Sequence, residues 1–311
     1  MQFTVKKIKN DNIKDELLKI GFDKSYIDSA AKKHEFITLK IQKLPFYCAT
    51  VIKETALSNG ADAGIHRDVL THKTDFSDLI LSGTKKQLET IAKSLYLQPF
   101  GLKQAGAEIE RLIQKKETSP LIMGILNITE DSFSDGGKFS DPKKAIEHAK
   151  QMILEGAKII DIGAESTRPG ASPVDSKVEI EKLLPVLREI KKMNTVVSID
   201  TRNSKTARKM IDEGADIIND VSGLNYDNEM INIIKESNAQ IVIMHSRGTP
   251  FNMDNLTEYE NLADEIYDEL NAKIRFLNEN GVDNEKIIID TGFGFAKDIN
   301  QNFEILKRIQ E

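Results

Sequence analysis

From residue 121 onward one pattern recurs. A short apolar run ends in a polar residue, a loop follows, then an amphipathic stretch of helical period, then the next run. The runs are Leu121–Ile128, Lys158–Ile162, Thr195–Asp200, Asp216–Asp220, Gln240–Met244 and Lys286–Asp290. Strands that alternate with helices are joined by crossovers and pair in parallel. Runs as continuously apolar as Ile241-Val242-Ile243-Met244 belong to strands covered on both faces. The pattern predicts an α/β fold, a (β/α)8 TIM-type barrel, with about six βα units in residues 121–311. A closed barrel needs eight units and about 250 residues. The expectation is therefore that the C-terminal end of the barrel is missing from this span.

The punctuation between the runs agrees. Asp141-Pro142 reads as an N-cap followed by proline at the first helical position. Ser176 and Glu179 have capping-box spacing. Leu262, Ile266, Leu270, Ile274 and Leu277 form a core-facing stripe that Gly281 ends. Glu155-Gly156-Ala157-Lys158-Ile159-Ile160-Asp161 resembles Glu213-Gly214-Ala215-Asp216-Ile217-Ile218-Asn219. Each copy reads as helix end, glycine, then buried strand.

Residues 1–115 have a different texture and read as a small α+β accessory domain of unknown role, with 116–120 as a linker. A polar helix ends at Leu17, Leu18 and Ile20, with Gly21 as its cap. Phe36–Ile41 alternates with period two, Phe76–Leu81 is a second candidate strand, and Thr84–Leu95 is the helix after it. His34, His66 and His72 are scattered and make no chemical constellation. The single cysteine, Cys48, excludes an intramolecular disulfide and reads as a small buried apolar residue. With a net charge of −6 and no Lys/Arg block, nucleic acid is not an expected partner. No apolar h-region opens the chain, and no run approaches the roughly 20 residues of a membrane span. The expected location is the cytoplasm.

In a barrel of this kind chemistry collects at the C-terminal ends of the strands. The first run ends at Asn127, the second leads to Glu165, Thr167 and Arg168, and the third ends at Asp200. The fourth ends at Asn219 and Asp220, the fifth at His245 and the sixth at Asp290. Some polar residues are needed there for solvation alone. Several carboxylates, two amides and an arginine converging on one mouth exceed that need. Acceptor-only carboxylates beside an amide suit a flat heterocycle rich in N–H groups, and an arginine fork suits phosphate. The glycines of Asp135-Gly136-Gly137 and of Gly163 to Gly170 are candidates for mobile loops.

Two long segments carry a family resemblance. Met123-Gly124-Ile125-Leu126-Asn127-Ile128-Thr129-Glu130-Asp131-Ser132-Phe133-Ser134-Asp135-Gly136-Gly137 resembles the first signature of the dihydropteroate synthases. Asp161-Ile162-Gly163-Ala164-Glu165-Ser166-Thr167-Arg168-Pro169-Gly170-Ala171 resembles the second. Ser198-Ile199-Asp200-Thr201, Ile217-Ile218-Asn219-Asp220-Val221, Met244-His245 and Asp290-Thr291-Gly292-Phe293-Gly294-Phe295-Ala296-Lys297 follow in the family's order. The resemblance covers residues 120–311. It implies an enzyme that joins 6-hydroxymethyl-7,8-dihydropterin pyrophosphate to 4-aminobenzoate, releasing pyrophosphate and 7,8-dihydropteroate. Departure of pyrophosphate runs ahead of attack in that family, so catalysis is mainly positioning and electrostatics.

Position by position, the resemblance implies Asn127 as a ligand of a Mg2+–pyrophosphate group. Asp200, Asn219 and Asp290 hydrogen-bond the pterin. Thr167, Pro169 and Phe295 shape the aminobenzoate pocket, where sulfonamides compete, and Arg168 holds pyrophosphate. Asp131 and Asp135 order a mobile loop, and Asp135, Thr167 and Arg168 are the catalytic candidates. A homodimer is a compatible assembly. Glu130 stands where the family usually has proline, Ala164 for glycine, Thr291 for proline, and Ser246-Arg247 for a Met-Gln pair. A Ser-Arg-Lys segment on a seventh strand and an Arg-x-His on an eighth have no counterpart in residues 1–311. The span alone is therefore not expected to act as an ordinary member. Two other readings stand beside this one: a corrinoid-type pterin-binding methyltransferase, and a non-catalytic pterin-binding protein.

Overall fold

The computed structural model describes residues 13–114, 119–128, 142–165, 174–248 and 252–310. They fall into two compact units, Met1–Thr118 and Ser119–Glu311.

The N-terminal unit runs α1 (Ile13–Lys19), α2 (Ile27–Ala31), β1 (Phe36–Pro45), α3 (Phe46–Ser58), β2 (Asp62–Ile65), β3 (Phe76–Thr84), α4 (Lys85–Leu95) and α5 (Leu102–Gln114). Its three strands form an antiparallel sheet in the order β1-β3-β2. β3 alternates because one face alone is covered: Leu79 and Leu81 are buried while Phe76 and Ile80 are exposed. The covering side chains include Ile52 and Ala56 from α3, Leu88 and Ile91 from α4, and Ile109 from α5. Gly21 ends α1 with φ +81°, a conformation open to glycine. Thr84 and Gln87 close α4 with a reciprocal capping box. The strand signals at Phe36 and Phe76 and the helix signal at Thr84 lie in β1, β3 and α4. The helices α2, α3 and α5 and the strand β2 had no counterpart in the sequence reading.

The C-terminal unit alternates strand and helix throughout. The order is β4 (Met123–Asn127), α6 (Pro142–Leu154), β5 (Ile159–Gly163), α7 (Ser176–Lys191), β6 (Val196–Asp200), α8 (Ser204–Asp212), β7 (Ile217–Asp220), α9 (Glu229–Glu236), β8 (Gln240–Met244), α10 (Leu262–Glu279), β9 (Ile287–Asp290) and α11 (Ile299–Arg308). All six strands are parallel neighbours in chain order, β4 to β9. The expected α/β class with a parallel sheet is therefore present, each strand within two residues of its predicted bounds. Leu126, Ile160, Ile162, Val197, Ile199, Ile218, Ile241 and Ile243 point to one face. There they pack with helix residues such as Ala149, Leu183, Leu187, Met210, Met230 and Ile234. Each such Leu or Ile contributes on the order of 1.5–3 kcal/mol by leaving water. The side chains between them, on the opposite face, are free to do chemistry.

Two details of punctuation refine the sequence reading. Gly156 and Gly214, the glycines of the repeated segment, have φ +115° and +100°. Both are the left-handed ends of helices that turn straight into a strand. The N-cap of α7 is Asp175, whose carboxylate accepts from the Lys177 N–H at 2.9 Å. Ser176 is thus the first helical residue, and Glu179 is not its capping partner. Glu179 turns inward, is buried, and accepts from the Thr206 hydroxyl. Among the described residues no helix is long and apolar enough to cross a membrane.

Candidate active site

Strand pairing sets the height of each side chain. Asn127 lies opposite Gly163, Gly163 opposite Asp200, and Asp200 opposite Asn219. Four successive strands thus bring these residues to one rung of the ladder, on the face turned away from the helices. Asp290 pairs with Met244, two positions beyond Val242, which faces Asn219. It therefore shares their face and stands two residues nearer the C-terminal edge. Its carboxylate accepts from the Gly292 N–H at 2.8 Å. Phe295 is half-buried in the turn after β9, its N–H donating to Gly292 O at 3.2 Å. Asp131, Asp135, Thr167, Arg168 and Pro169 lie outside the described residues.

Beneath the rung lies a second polar layer. Asp161 is two residues before Gly163 and faces Ser198 across the ladder. The Asn219 Nδ2 donates to Asp161 Oδ2 at 3.0 Å, which leaves Asn219 Oδ1 as a bare acceptor. Asp161 Oδ1, Ser198 Oγ and Asn219 Oδ1 are all buried without a protein hydrogen-bond partner. Burial pushes the Asp161 carboxyl above the usual carboxylate range, against the pull of Ser198 and Asn219. Asp200 is raised further still: burial comes first, then the nearby carboxylates Asp161, Glu179, Glu165 and Asp220. A carboxyl in that position is short of hydrogen-bond donors. The site is one that a ligand rich in N–H groups would satisfy.

The mouth is braced from two sides. Arg202, in the turn after β6, places Nη2 2.6 Å from Glu165 Oε1 and stacks 4.2 Å over the Tyr226 ring. Asp220, at the end of β7, turns from the mouth. It accepts from the Ser222 and Leu224 N–H groups at 2.9 Å and shapes the following turn. On the other side His245 and Lys297 are both buried, with Lys297 Nζ 2.9 Å from His245 Nδ1.

A sequence profile for the family described as pterin binding enzyme matches residues 123–311, well over half of the chain. The bifunctional dihydropteroate synthase/dihydropteroate reductase of Helicobacter pylori is 36% identical over 310 residues, covering 98% of this chain and 80% of that one. This chain belongs to the pterin binding enzymes, among the dihydropteroate synthases. Among solved synthases, that of Anaplasma phagocytophilum with bound 6-hydroxymethylpterin-monophosphate matches with a TM-score of 0.55 and 38% identity. The match covers 62% of this chain and 73% of that one. The synthase of Thermus thermophilus in complex with 4-aminobenzoate matches with a TM-score of 0.52 and 34% identity, covering 61% and 67%.

A synthase of this family implies a metal, and the donor set can be tested for one. Among the described residues no group of three or more His, Cys, Asp or Glu is disposed to hold an ion. Gly163, however, leaves a cradle in the rung. A Cβ there would lie 3.2 Å from both Asn127 Oδ1 and Asp200 Oδ2. Asn127 Oδ1 is a hard neutral oxygen. Mg2+ takes few protein ligands and fills its shell with phosphate oxygens and water. The residues present therefore fit a magnesium ion that arrives with a pyrophosphate.

The candidate site contains residues that strand ends alone do not point to. Asp161 and Ser198 sit in mid-strand. Their signal was one polar letter inside an apolar run, on the same parity as Gly163 and Asp200. Lys297 stood within a recognised segment without a role.

Proposed function

We propose that this chain joins 6-hydroxymethyl-7,8-dihydropterin pyrophosphate to 4-aminobenzoate. The observation that carries the assignment is a pair of polar layers set by strand register: Asp200 and Asn219 on the rung and Asp161 two residues beneath it, with Asp161 Oδ1 and Asn219 Oδ1 buried and without a donor from the protein. The 2-amino and ring N–H groups of a pterin supply such donors. The match to named synthases over both the profile and the full chain supports the same reading.

In this reading the pterin lies on Asp161, Asp200 and Asn219, with Asp290 on its rim. The bond between the methylene carbon and the pyrophosphate oxygen breaks, the carbon–nitrogen bond to the aryl amine forms, and the amine gives up a proton. Asn127 would hold Mg2+, which when bound would supply the positive charge that neutralises a leaving pyrophosphate. Thr167, Pro169 and Phe295 are assigned to the aminobenzoate, Arg168 to pyrophosphate, and Asp135 is retained as a further catalytic candidate. The family name and the residue types support these roles. The parallel sheet in sequential order, with its helix-packed face and a contact between alternate strands at Asp161 and Asn219, supports a (β/α)8-type barrel wall.

The experiment is calorimetric titration of the full chain with a dihydropterin, paired with an assay for dihydropteroate. Asp200→Ala should keep its far-ultraviolet circular dichroism and lose dihydropterin affinity by roughly tenfold or more, the loss expected for a hydrogen-bonded charged group. Unchanged affinity in that variant would sink the site map.

A second activity has its own support. The Helicobacter match runs through the N-terminal unit as well, and that relative is named as a dihydropteroate reductase too. We propose that residues 13–114 serve a two-electron reduction of dihydropteroate. A reduced nicotinamide or flavin would supply the hydride and water the proton. Incubating the full chain with dihydropteroate and each reductant tests it; no consumption of either reductant above the protein-free rate rejects it.

A further inference from the structure

The turn after β9 is built around a buried ammonium. Lys297 is 7% exposed. Its Nζ lies 2.8 Å from Phe295 O, 3.0 Å from Gly292 O, 2.9 Å from His245 Nδ1 and 3.4 Å from His245 O. Four neutral acceptors thus surround one cation, and two of them are carbonyls of the turn itself. That turn passes through the left-handed region at Gly292, Gly294 and Ala296. It is also pressed against β8: a Cβ on Gly292 would lie 2.0 Å from His245 O. A turn with this much unfavourable backbone persists only if its surroundings hold it.

The holding groups form a closed circuit. His245 Nε2 lies 3.0 Å from Glu269 Oε2, a contact outside hydrogen-bond geometry. Arg247 pairs with Glu269 and with Glu265 and stacks 4.0 Å over the Tyr259 ring. The Tyr259 hydroxyl donates to Ala296 O at 2.9 Å, which returns the circuit to the turn. What the turn presents is functional. Gly292 N–H fixes the Asp290 carboxylate, and Phe295 supplies one of the two turn carbonyls that Lys297 gathers.

We infer that Lys297 is a positioning residue for the synthase reaction: its Nζ, donating to the Gly292 and Phe295 carbonyls, gathers the Gly292–Phe295 turn and so aims Asp290 at the pterin and Phe295 at the aminobenzoate. This deepens the proposed function and rests on it for what Asp290 and Phe295 contact.

The charge of Lys297 supplies a signature that packing alone would not. Burial lowers its pKa to about 8, opposed by Asp290 of β9 and Glu269 of α10, while Arg247 beyond β8 and Lys273 of α10 push the same way as burial. His245 is itself lowered to about 4, by burial first and Lys297 next, so it stays neutral and offers Nδ1 as an acceptor. Asp298, at the start of α11, is engaged in capping. A lysine lowered in the closed turn and ordinary in an opened one makes closure release a proton. Closure is therefore favoured as pH rises from about 8 toward 10.5. Between pH 7 and 9 the gain is about tenfold in the closure equilibrium.

The test compares wild type with Lys297→Met on the full chain. Hydrogen–deuterium exchange over residues 291–297, corrected for intrinsic rates, should show wild-type protection rising about tenfold from pH 7 to 9. It should show a flat, weaker protection in Lys297→Met. Dihydropterin titration should give a dissociation constant at least fivefold higher in the variant. In turnover, the aminobenzoate KM should rise more than kcat falls. Wild-type protection with no pH slope, or a variant matching wild type in both protection and affinity, overturns the inference. If Lys297→Met does not fold, the wild-type pH slope decides alone. A wild type that shows the slope yet binds no dihydropterin sinks the proposed function and leaves Lys297 as the holder of the turn.

Discussion

Asp200 carries the cost of its position. Burial and the neighbouring carboxylates raise its pKa well above the usual range. A raised acid is still protonated in the fold where the unfolded chain has ionised, so folding stability falls as pH rises through that interval. Asp200→Asn removes the titration and keeps the shape. It should melt a few degrees higher than wild type at pH 7, a gain on the order of 1 kcal/mol, and the difference should shrink toward pH 4. Thermal melts across that range check it. An Asp200→Asn variant no more stable than wild type at pH 7 would mean the carboxylate already has the partners it needs. At this scale the sequence was legible wherever a polar letter closed an apolar run, as at Asn127, Asp200, Asn219 and Asp290. It was not legible at Asp161. The parity that turns Asp161 toward Ser198 and Asn219 is visible only once neighbouring strands are in register, and register is a relation between segments.

Among elements, β5 shows how a strand can contribute by omission. Gly163 stands between Asn127 and Asp200, and a methyl group there would touch both. Its backbone is ordinary extended strand, so Gly163→Ala should fold. Filling the cradle should lower dihydropterin affinity by roughly tenfold, the scale of one lost polar contact. Titration of the variant against wild type decides, and equal affinity would put the ligand elsewhere. Element types in the C-terminal unit were readable because each helix and strand there carries its own start and stop, Gly156 and Gly214 among them. α3 was not. Its buried residues Cys48, Ala49, Ile52 and Ala56 lie in a helix whose β-branched and aromatic letters carry little helical preference. The cap of α7 moved from Ser176 to Asp175 because either residue can serve, and only the backbone angle chooses between them.

For the molecule as a whole, the two units have separate cores, one around Leu79, Leu81 and Leu88 and the other around Ile199, Ile218 and Ile241. Truncating a buried leucine costs about 3 kcal/mol. Leu81→Ala should take that loss in the N-terminal unit and leave dihydropterin affinity within twofold of wild type. Ile199→Ala, next to Asp200, should weaken both stability and binding. Denaturant melts with titration of each variant test the pair, and a Leu81→Ala variant that binds poorly would show that the pterin site draws on both units. The repeating text of residues 121–311 made the second core foreseeable. The first has no repeat to read, and its three-stranded order β1-β3-β2 puts neighbours in the sheet that are not neighbours in the chain.

Because the rung from Asn127 to Asn219 is set by main-chain pairing, evolution cannot slide it by small steps. Moving any one strand by a single residue would turn its rung residue toward the helices and a helix-facing residue toward the substrate. A competitor resting wholly on that rung would leave the protein few heritable escapes that keep its own substrate. One that leaned on the neighbouring turns would meet a surface free to drift.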